Sequence, residues 1–231
     1  MLVIPAIDLS AGRSRVVYWP GAATGAGAPT DRPEAIVARF VELGARLVHL
    51  VDIDGARSGA PANLEAVGRV AARTAVPIQL AGGLETADAI RLAFAAGATR
   101  VVLAMSVADN PEVLSDCLAV AGDWLAVGLD PRPERLRAYP WRRTAIPTFD
   151  ALVGELADRG VRRVVLSHAG DDAERLVAIG RTRDLEVLVA GGVRDIPAIL
   201  RLRDAGVAGV IIGEALLSGA IELPAALEAA A

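Results

Sequence analysis

Eight short apolar runs, each followed by a loop and then by a stretch with helical spacing, govern what this chain can become. The runs fall at 2–8, 46–52, 76–81, 100–104, 124–130, 162–168, 185–190 and 208–213. The helical patterns fall near 33–43, 62–73, 86–96, 110–121, 148–159, 172–180, 195–205 and 222–230. Runs without polar alternation suit strands buried on both faces, the condition of a parallel sheet, and the helices between them supply the crossovers. Eight such units in 231 residues predict a (β/α)8 TIM barrel, with an open doubly wound sheet as the alternative.

An internal repeat points the same way. Ala81-Gly82-Gly83-Leu84 returns as Ala190-Gly191-Gly192-Val193, 109 positions later, and the same spacing maps Gly97 onto Gly206 and Val101-Val102-Leu103 onto Val210-Ile211-Ile212. Gly44 through Leu50 matches Gly160 through Leu166 at a spacing of 116. Two fused half-barrels would set equivalent loops on opposite sides of one mouth. No linker, low-complexity tract or charge run divides the chain, so residues 1–231 are expected to form one barrel domain.

With 53% hydrophobic but only 3% aromatic residues, the core must be built from Val, Leu, Ile and Ala. A net charge of −4 argues against nucleic acid or an anionic membrane as a partner. A single cysteine, Cys117, excludes an internal disulfide, and two histidines, His49 and His168, offer no zinc-ligand spacing. Pro5 and Asp8 interrupt the apolar start, so it does not read as a signal peptide, and no run is long enough to span a bilayer. The expectation is a soluble, cytoplasmic, monomeric protein that takes a small phosphorylated ligand.

That ligand is suggested by the glycines. Val187 through Val193 is an apolar run ending in a glycine pair just before a helix, and Gly209 through Leu216 repeats the pattern around Gly213. Neighbouring strands that end this way aim backbone N–H groups and helix dipoles at one point, which is how a phosphate is held. Gly82 and Gly83 form the equivalent turn in the other half. Ordinary strand-to-helix turns would explain any one of these glycines equally well.

In a barrel the chemistry sits at the C-terminal strand ends. The polar residues there are Asp8, Asp52, Asp54, Asp130, Ser167, His168 and Asp172. Asp8 and Asp130 end the first and fifth strands, diametrically opposed in a ring of eight, and facing carboxylates suit paired acid and base work. Asp52, Asp54 and Asp172 are also candidates for helix or turn caps. Asp8 is not, because the next helix begins some twenty-five residues later. The long loop 9–32 carries Val16-Val17-Tyr18-Trp19, which suggest a small hairpin or lid. The loop 131–147 carries Arg132, Arg135, Arg137, Arg142 and Arg143 around Tyr139 and Trp141, a composition suited to covering an anionic, planar ligand, or to a solvated surface. Asp52, His168, Trp141, Arg142 and Arg143 are the candidates for positioning substrate.

Over essentially its full length the chain resembles the phosphoribosylformimino aminoimidazole carboxamide ribotide isomerases of histidine biosynthesis, a family that includes dual-substrate phosphoribosyl isomerases of actinobacteria. The resemblance is carried by Ile4-Pro5-Ala6-Ile7-Asp8-Leu9, by His49 through Ala56 with Asn63-Leu64, by Gly82-Gly83, by Asn110-Pro111-Glu112, by Val127-Gly128-Leu129-Asp130 and by the later glycine turns. It implies an aldose–ketose isomerase performing an Amadori rearrangement, with Asp8 as base, Asp172 as acid, Ser167 at a family threonine and Asp130 orienting the substrate. Trp141 would stand where relatives stack an aromatic. No metal or organic cofactor is implied. The family substrate carries two phosphates, one at Gly191, Gly192 and Gly213, the other at Gly82 and Gly83. On that second side this chain departs: Glu85 replaces the usual arginine and Ala104-Met105 the usual Gly-Thr. Glu214 departs on the first side, Val16 with Arg15 beside it replaces the loop arginine, and Ala173-Glu174-Arg175 runs straight into a helix after Asp172. Three readings stay open: the histidine-pathway isomerase, a phosphoribosylanthranilate isomerase of tryptophan biosynthesis acting on one phosphate, and a non-catalytic sugar-phosphate-binding relative. Schiff-base chemistry is excluded, because the chain has no lysine.

Overall fold

The structure, a computed structural model, describes residues 1–18, 29–138, 148–168 and 173–231. Trp19, Tyr139, Trp141, Arg142, Arg143 and Asp172 lie outside the described residues. The strands are β1 (Leu2–Ser10), β2 (Arg13–Ser14), β3 (Val48–Asp52), β4 (Ile78–Ala81), β5 (Arg100–Leu103), β6 (Leu125–Leu129), β7 (Arg163–Ser167), β8 (Glu186–Ala190) and β9 (Gly209–Ile212). The helices are α1 (Pro33–Glu42), α2 (Ile53–Ser58), α3 (Leu64–Ala71), α4 (Ala87–Ala95), α5 (Pro111–Ala121), α6 (Pro133–Ala138), α7 (Phe149–Asp158), α8 (Ala173–Arg181), α9 (Ile196–Asp204), α10 (Glu214–Leu217) and α11 (Leu223–Ala230). All eight helical patterns of the sequence are among them; α2, α6 and α10, of six, six and four residues, are too short to leave a periodic signature.

Strand order is β1-β3-β4-β5-β6-β7-β8-β9, every neighbour parallel, and β9 returns to β1 with Leu2 opposite Gly209 and Pro5 opposite Ile212. The sheet therefore closes into an eight-stranded barrel. The hairpin expected around residues 16–19 starts earlier: β2 pairs antiparallel with the end of β1, Leu9 opposite Ser14. Tyr18 and Thr30 then exchange backbone hydrogen bonds of 2.8 and 2.9 Å. Tyr18 is buried, its ring 5.5 Å from that of Phe40 on α1, so this part of the loop is core rather than lid.

Closure sorts side chains by alternation along each strand. Ile4, Ala6, Leu47, Val102, Ala126, Val165, Leu188 and Ile211 form the interior cluster. The intervening residues, such as Ile7, Leu50, Leu80, Val101, Val127 and Val210, pack outward against the helices in a second, larger cluster. The half-barrel repeat is visible in its caps. Thr86 accepts a hydrogen bond from the Ala89 N–H at the start of α4, and Asp195, 109 positions on, accepts one from Ala198 at the start of α9.

Inside the barrel, one row is polar. His49, Gln79 and Arg100 are register neighbours on β3, β4 and β5. The Arg100 Nε donates to Gln79 Oε1 at 2.6 Å, and Gln79 Nε2 lies 2.8 Å from His49 Nδ1. Burial, and then the Arg100 charge, push the His49 imidazole from 6.5 down to about 4. The folded protein keeps it neutral while the unfolded chain takes a proton near its ordinary value. This group's stabilisation is therefore complete above that value and is lost as pH falls toward the folded one. The difference amounts to about 3 kcal/mol. Urea denaturation between about pH 7 and pH 4.5 should show that loss, and His49→Gln should flatten the slope; parallel curves would show that His49 does not titrate differently on folding.

Candidate functional site

The C-terminal mouth of the barrel is built from residues that continue the inward rows. On β1, Ile4 and Ala6 face the interior, and Asp8 is the next in that row. Burial raises the Asp8 carboxyl above its ordinary value, and the positive charge of Arg15 partly opposes the shift. Arg15 is brought back over the mouth by the β1–β2 hairpin, where its N–H donates to the Asp8 carbonyl at 2.8 Å. Among the described residues the Asp8 side chain makes no hydrogen bond. A half-buried carboxyl, free of fixed donors among the described residues and shifted upward, is a better proton acceptor than an ordinary aspartate.

Asp52 falls on the other face. It is opposite Leu9 in the β1–β3 register, in the row that turns away from the mouth. Only 1% exposed, its carboxylate accepts from the N–H groups of Gly55 (2.7 Å), Ala62 (2.6 Å) and Asn63 (2.8 Å) and from Asn63 Nδ2 (2.7 Å). Every lone pair is spent on the loop after β3. Asp52 is thus the N-cap of α2, and it does not present its carboxylate to the mouth as a substrate-positioning residue would. Asp54 accepts from Ser10 Oγ, the Ala11 N–H and Asn63 Nδ2, donors that hold its carboxyl below the ordinary range. Asn63 Oδ1 accepts from the Gly12 N–H at 2.7 Å. Asn63 thereby fastens the turn after Asp8 to the loop after Asp52, a role that its sequence neighbourhood does not announce.

Across the ring, four strands from β1, Asp130 follows β6 in the row of Ala126 and Gly128. Burial alone would raise it, but Arg132 reverses the shift: Nε donates to Oδ1 at 2.9 Å, Nη2 to Oδ2 at 2.6 Å and the backbone N–H to Oδ1 at 3.2 Å. The field of His168 acts in the same sense. Asp130 is therefore held ionised, and of the two facing carboxyls only Asp8 is shifted toward neutral pH. In the sequence Arg132 is one of five loop arginines; in the structure it forks onto Asp130.

Ser167 ends β7 in the inward row of Val165, beside Ala190. His168 follows with φ of 57°, its N–H donating to the Ala190 carbonyl at 2.8 Å. That left-handed conformation costs a residue with a Cβ about 1–2 kcal/mol.

The two glycine pairs have the same backbone and different surroundings. Gly82 and Gly83 have φ of 100° and 70°, Gly191 and Gly192 of 76° and 79°. A Cβ on Gly82 would fall onto the Asp52 backbone, and one on Gly83 would meet the Ala60 and Gly55 carbonyls at 2.7 and 2.8 Å. The first pair is required by close packing against the loop that Asp52 organises. Among the described residues, a Cβ on Gly192 would meet nothing within 4 Å, and the nearest atoms to one on Gly191 would be those of the His168 ring, from 3.5 Å. Among the described residues, packing does not account for the second pair. It borders a cleft of about 540 Å³ lined also by Val193, Ala198 and Arg201. Gly213, the N-cap of α10, has φ of −105°, and a Cβ there would lie 3.6 Å from the Ala6 carbonyl oxygen. Its repeat partner Ala104 opens a 3-10 turn, Met105–Asp109, on the side where Glu85 is half-buried. Among the described residues no three His, Cys, Asp or Glu could hold a metal ion together.

A closed parallel barrel with an upshifted carboxyl facing an ionised one across its mouth, and an open glycine turn on the rim, defines a (β/α)8 protein whose chemistry lies at the strand ends. The chain belongs to the histidine biosynthesis protein family, whose model matches residues 2–222. It is 35% identical over 237 residues to the 1-(5-phosphoribosyl)-5-((5-phosphoribosylamino)methylideneamino) imidazole-4-carboxamide isomerase of Desulforudis audaxviator, covering 98% of this chain and 90% of that one. Isomerases of the same name from Gloeobacter violaceus and Roseiflexus castenholzii are each 34% identical, over 100% and 99% of this chain and 94% and 99% of theirs.

The contrast between the glycine turns is testable by stability alone. Gly82→Ala, which combines a disfavoured φ with a backbone collision, should cost about 3 kcal/mol or more. Gly192→Ala, with open space, should cost about 1 kcal/mol. Thermal denaturation of the two variants decides; equal losses would mean that the turns are packed alike.

Proposed function

We propose that this protein is an aldose–ketose isomerase that converts an N-linked phosphoribosyl aminoaldose into the corresponding aminoketose, the reaction of histidine biosynthesis for which its relatives are named. The observation that carries the reading is similarity to those isomerases over 98–100% of the chain. The upshifted carboxyl of Asp8 at the mouth is the feature that such chemistry needs.

In such a substrate the amine nitrogen is bonded to C1 of the closed ribose. Proton delivery to the ring oxygen lets the nitrogen lone pair form C1=N as the C1–O bond breaks. Removal of the C2 proton then moves the C–H pair into C1=C2 and returns the C1=N pair to nitrogen; protonation of C1 with loss of the C2 hydroxyl proton leaves the C2 ketone, and nothing is oxidised or reduced overall. Asp8 is assigned the C2 proton, since a base works best when its pKa approaches the working pH. Asp172 is assigned the ring-oxygen proton. Asp130, kept ionised by Arg132, is unsuited to donate one and instead accepts hydrogen bonds from substrate hydroxyls, with Ser167 beside it. Gly191, Gly192 and Gly213 take one phosphate on their N–H groups and on the start of α10. A second reading, a one-phosphate substrate such as phosphoribosylanthranilate, is favoured by Glu85, a carboxylate on the side where a second phosphate would sit.

Asp8→Asn should lower kcat by about a thousandfold without lowering the melting temperature. Asp172→Asn should come close to that loss. The assay is turnover of the two-phosphate aminoaldose beside phosphoribosylanthranilate. Full-rate Asp8→Asn would remove Asp8 from the mechanism, and turnover of phosphoribosylanthranilate alone would favour the second reading.

A further inference from the structure

The turn between β1 and β2 is held from outside. Its two central residues, Ala11 and Gly12, have φ of 49° and 75°, with Ser10 paired to Arg13 across it. A two-residue hairpin turn of this hand favours Asn or Asp in the first place, because a short side chain with an oxygen bonds the turn locally. Alanine stands there instead, and the oxygens come from two other elements. Asp54 on α2 accepts from the Ala11 N–H at 2.7 Å and from Ser10 Oγ at 2.9 Å. Asn63, just before α3, accepts from the Gly12 N–H at 2.7 Å and is itself tied to Asp54 through Nδ2 at 3.0 Å. Arg69 on α3 donates to the Gly12 carbonyl at 2.7 Å. Ala11 is exposed, so water would satisfy its N–H equally well. Satisfaction of the backbone therefore does not account for three side chains meeting on one turn; what they fix is its position.

Position matters because of what the turn carries on either side. Asp8 lies two residues before Ser10 and Arg15 two residues after Arg13, and the Arg15 N–H donates to the Asp8 carbonyl at 2.8 Å. Among the described residues Arg15 supplies the charge that acts on the Asp8 carboxyl. We propose that Asp54 is a positioning residue for Asp8: by clamping the Ala11–Gly12 turn it fixes the β1–β2 hairpin, and with it the place of Arg15 over the mouth. This rests on reading Asp8 as the base. Asp54 itself touches neither Asp8 nor substrate in this account and acts through the turn. Its three donors keep its carboxyl below the ordinary range, so the clamp stays charged at working pH.

The test follows the Asp8 carboxyl itself, by carboxyl-carbon NMR titration of the whole protein, with the resonance assigned by its loss in Asp8→Asn. The variants are Asp54→Ala, Arg15→Gln and the two combined. Arg15→Gln should raise the Asp8 pKa, because a positive charge that lowers it is gone. Asp54→Ala should raise it too, because Arg15 is no longer held in place, and the double variant should match Arg15→Gln alone. Asp54→Asn, which keeps an acceptor for the Ala11 N–H, should fall between wild type and Asp54→Ala, and it carries the same test if Asp54→Ala does not fold. Turnover of the two-phosphate aminoaldose by Asp54→Ala should show kcat about tenfold lower with KM within about twofold. A carboxylate that only stabilises its loop would lower the melting temperature and leave the Asp8 titration and kcat where they were, and that outcome overturns the proposal. So do additive effects of Asp54→Ala and Arg15→Gln on the Asp8 titration, which would mean that Asp54 does not act through Arg15. Wild type that turns over neither aminoaldose would remove the isomerase reading, and the Asp8 titrations would then decide the proposal by themselves.

Discussion

Pairing of β9 with β1 is the constraint on which the rest depends. Once Leu2 lies opposite Gly209 and Pro5 opposite Ile212, the sheet has no edge, and every residue of every strand belongs either to the interior or to the helix layer. The small interior of Ile4, Ala6, Ala126 and Val165 follows from this, since eight strands leave room for little else. So does the position of the chemistry: the inward rows meet water at their C-terminal ends, at the mouth, where polar groups are least costly. The one polar row below it, His49 with Gln79 and Arg100, is tolerated because its members hydrogen-bond one another and the imidazole stays neutral.

At the mouth, two carboxyls that look equivalent in sequence are given opposite characters by their surroundings. Asp8 loses hydration without gaining a donor among the described residues, and its carboxyl rises. Asp130 loses hydration too, but Arg132 more than compensates. One structural principle, burial with or without a partner, thus separates a candidate base from a group that stays charged. The loop after β3 supports this from outside. Asp52, Asp54 and Asn63 share donors and acceptors so fully that the turn after Asp8 has little freedom to move.

The half-barrel repeat shows how duplicated geometry diverges in use. Both glycine pairs keep positive φ, and both following helices keep a side-chain cap at the same position. Yet the Gly82–Gly83 turn is pressed against the Asp52 loop, while among the described residues the Gly191–Gly192 turn has only the His168 ring near it. Glu85 and Met105 fall on the packed side, where a phosphate would meet a carboxylate and an apolar side chain. The surroundings of the two turns therefore differ more than their backbones do.

The periodic features of the fold were legible from the residues alone. Apolar runs, helix spacing, glycine turns and the repeat are local signals, because strand burial and helix amphipathicity impose a period on neighbouring positions. The place of Asp8 at the mouth was legible too, since it ends an apolar run with nothing nearby to cap. Which face each aspartate took was not, because alternation assigns a side only once register is set, and register depends on pairing between strands distant in sequence. Asp52 turned outward and Asp8 inward for that reason alone. The fork of Arg132 on Asp130, the tie from Asn63 to Gly12 and the strained His168 over Gly191 are likewise tertiary decisions, made by contacts that no periodicity encodes.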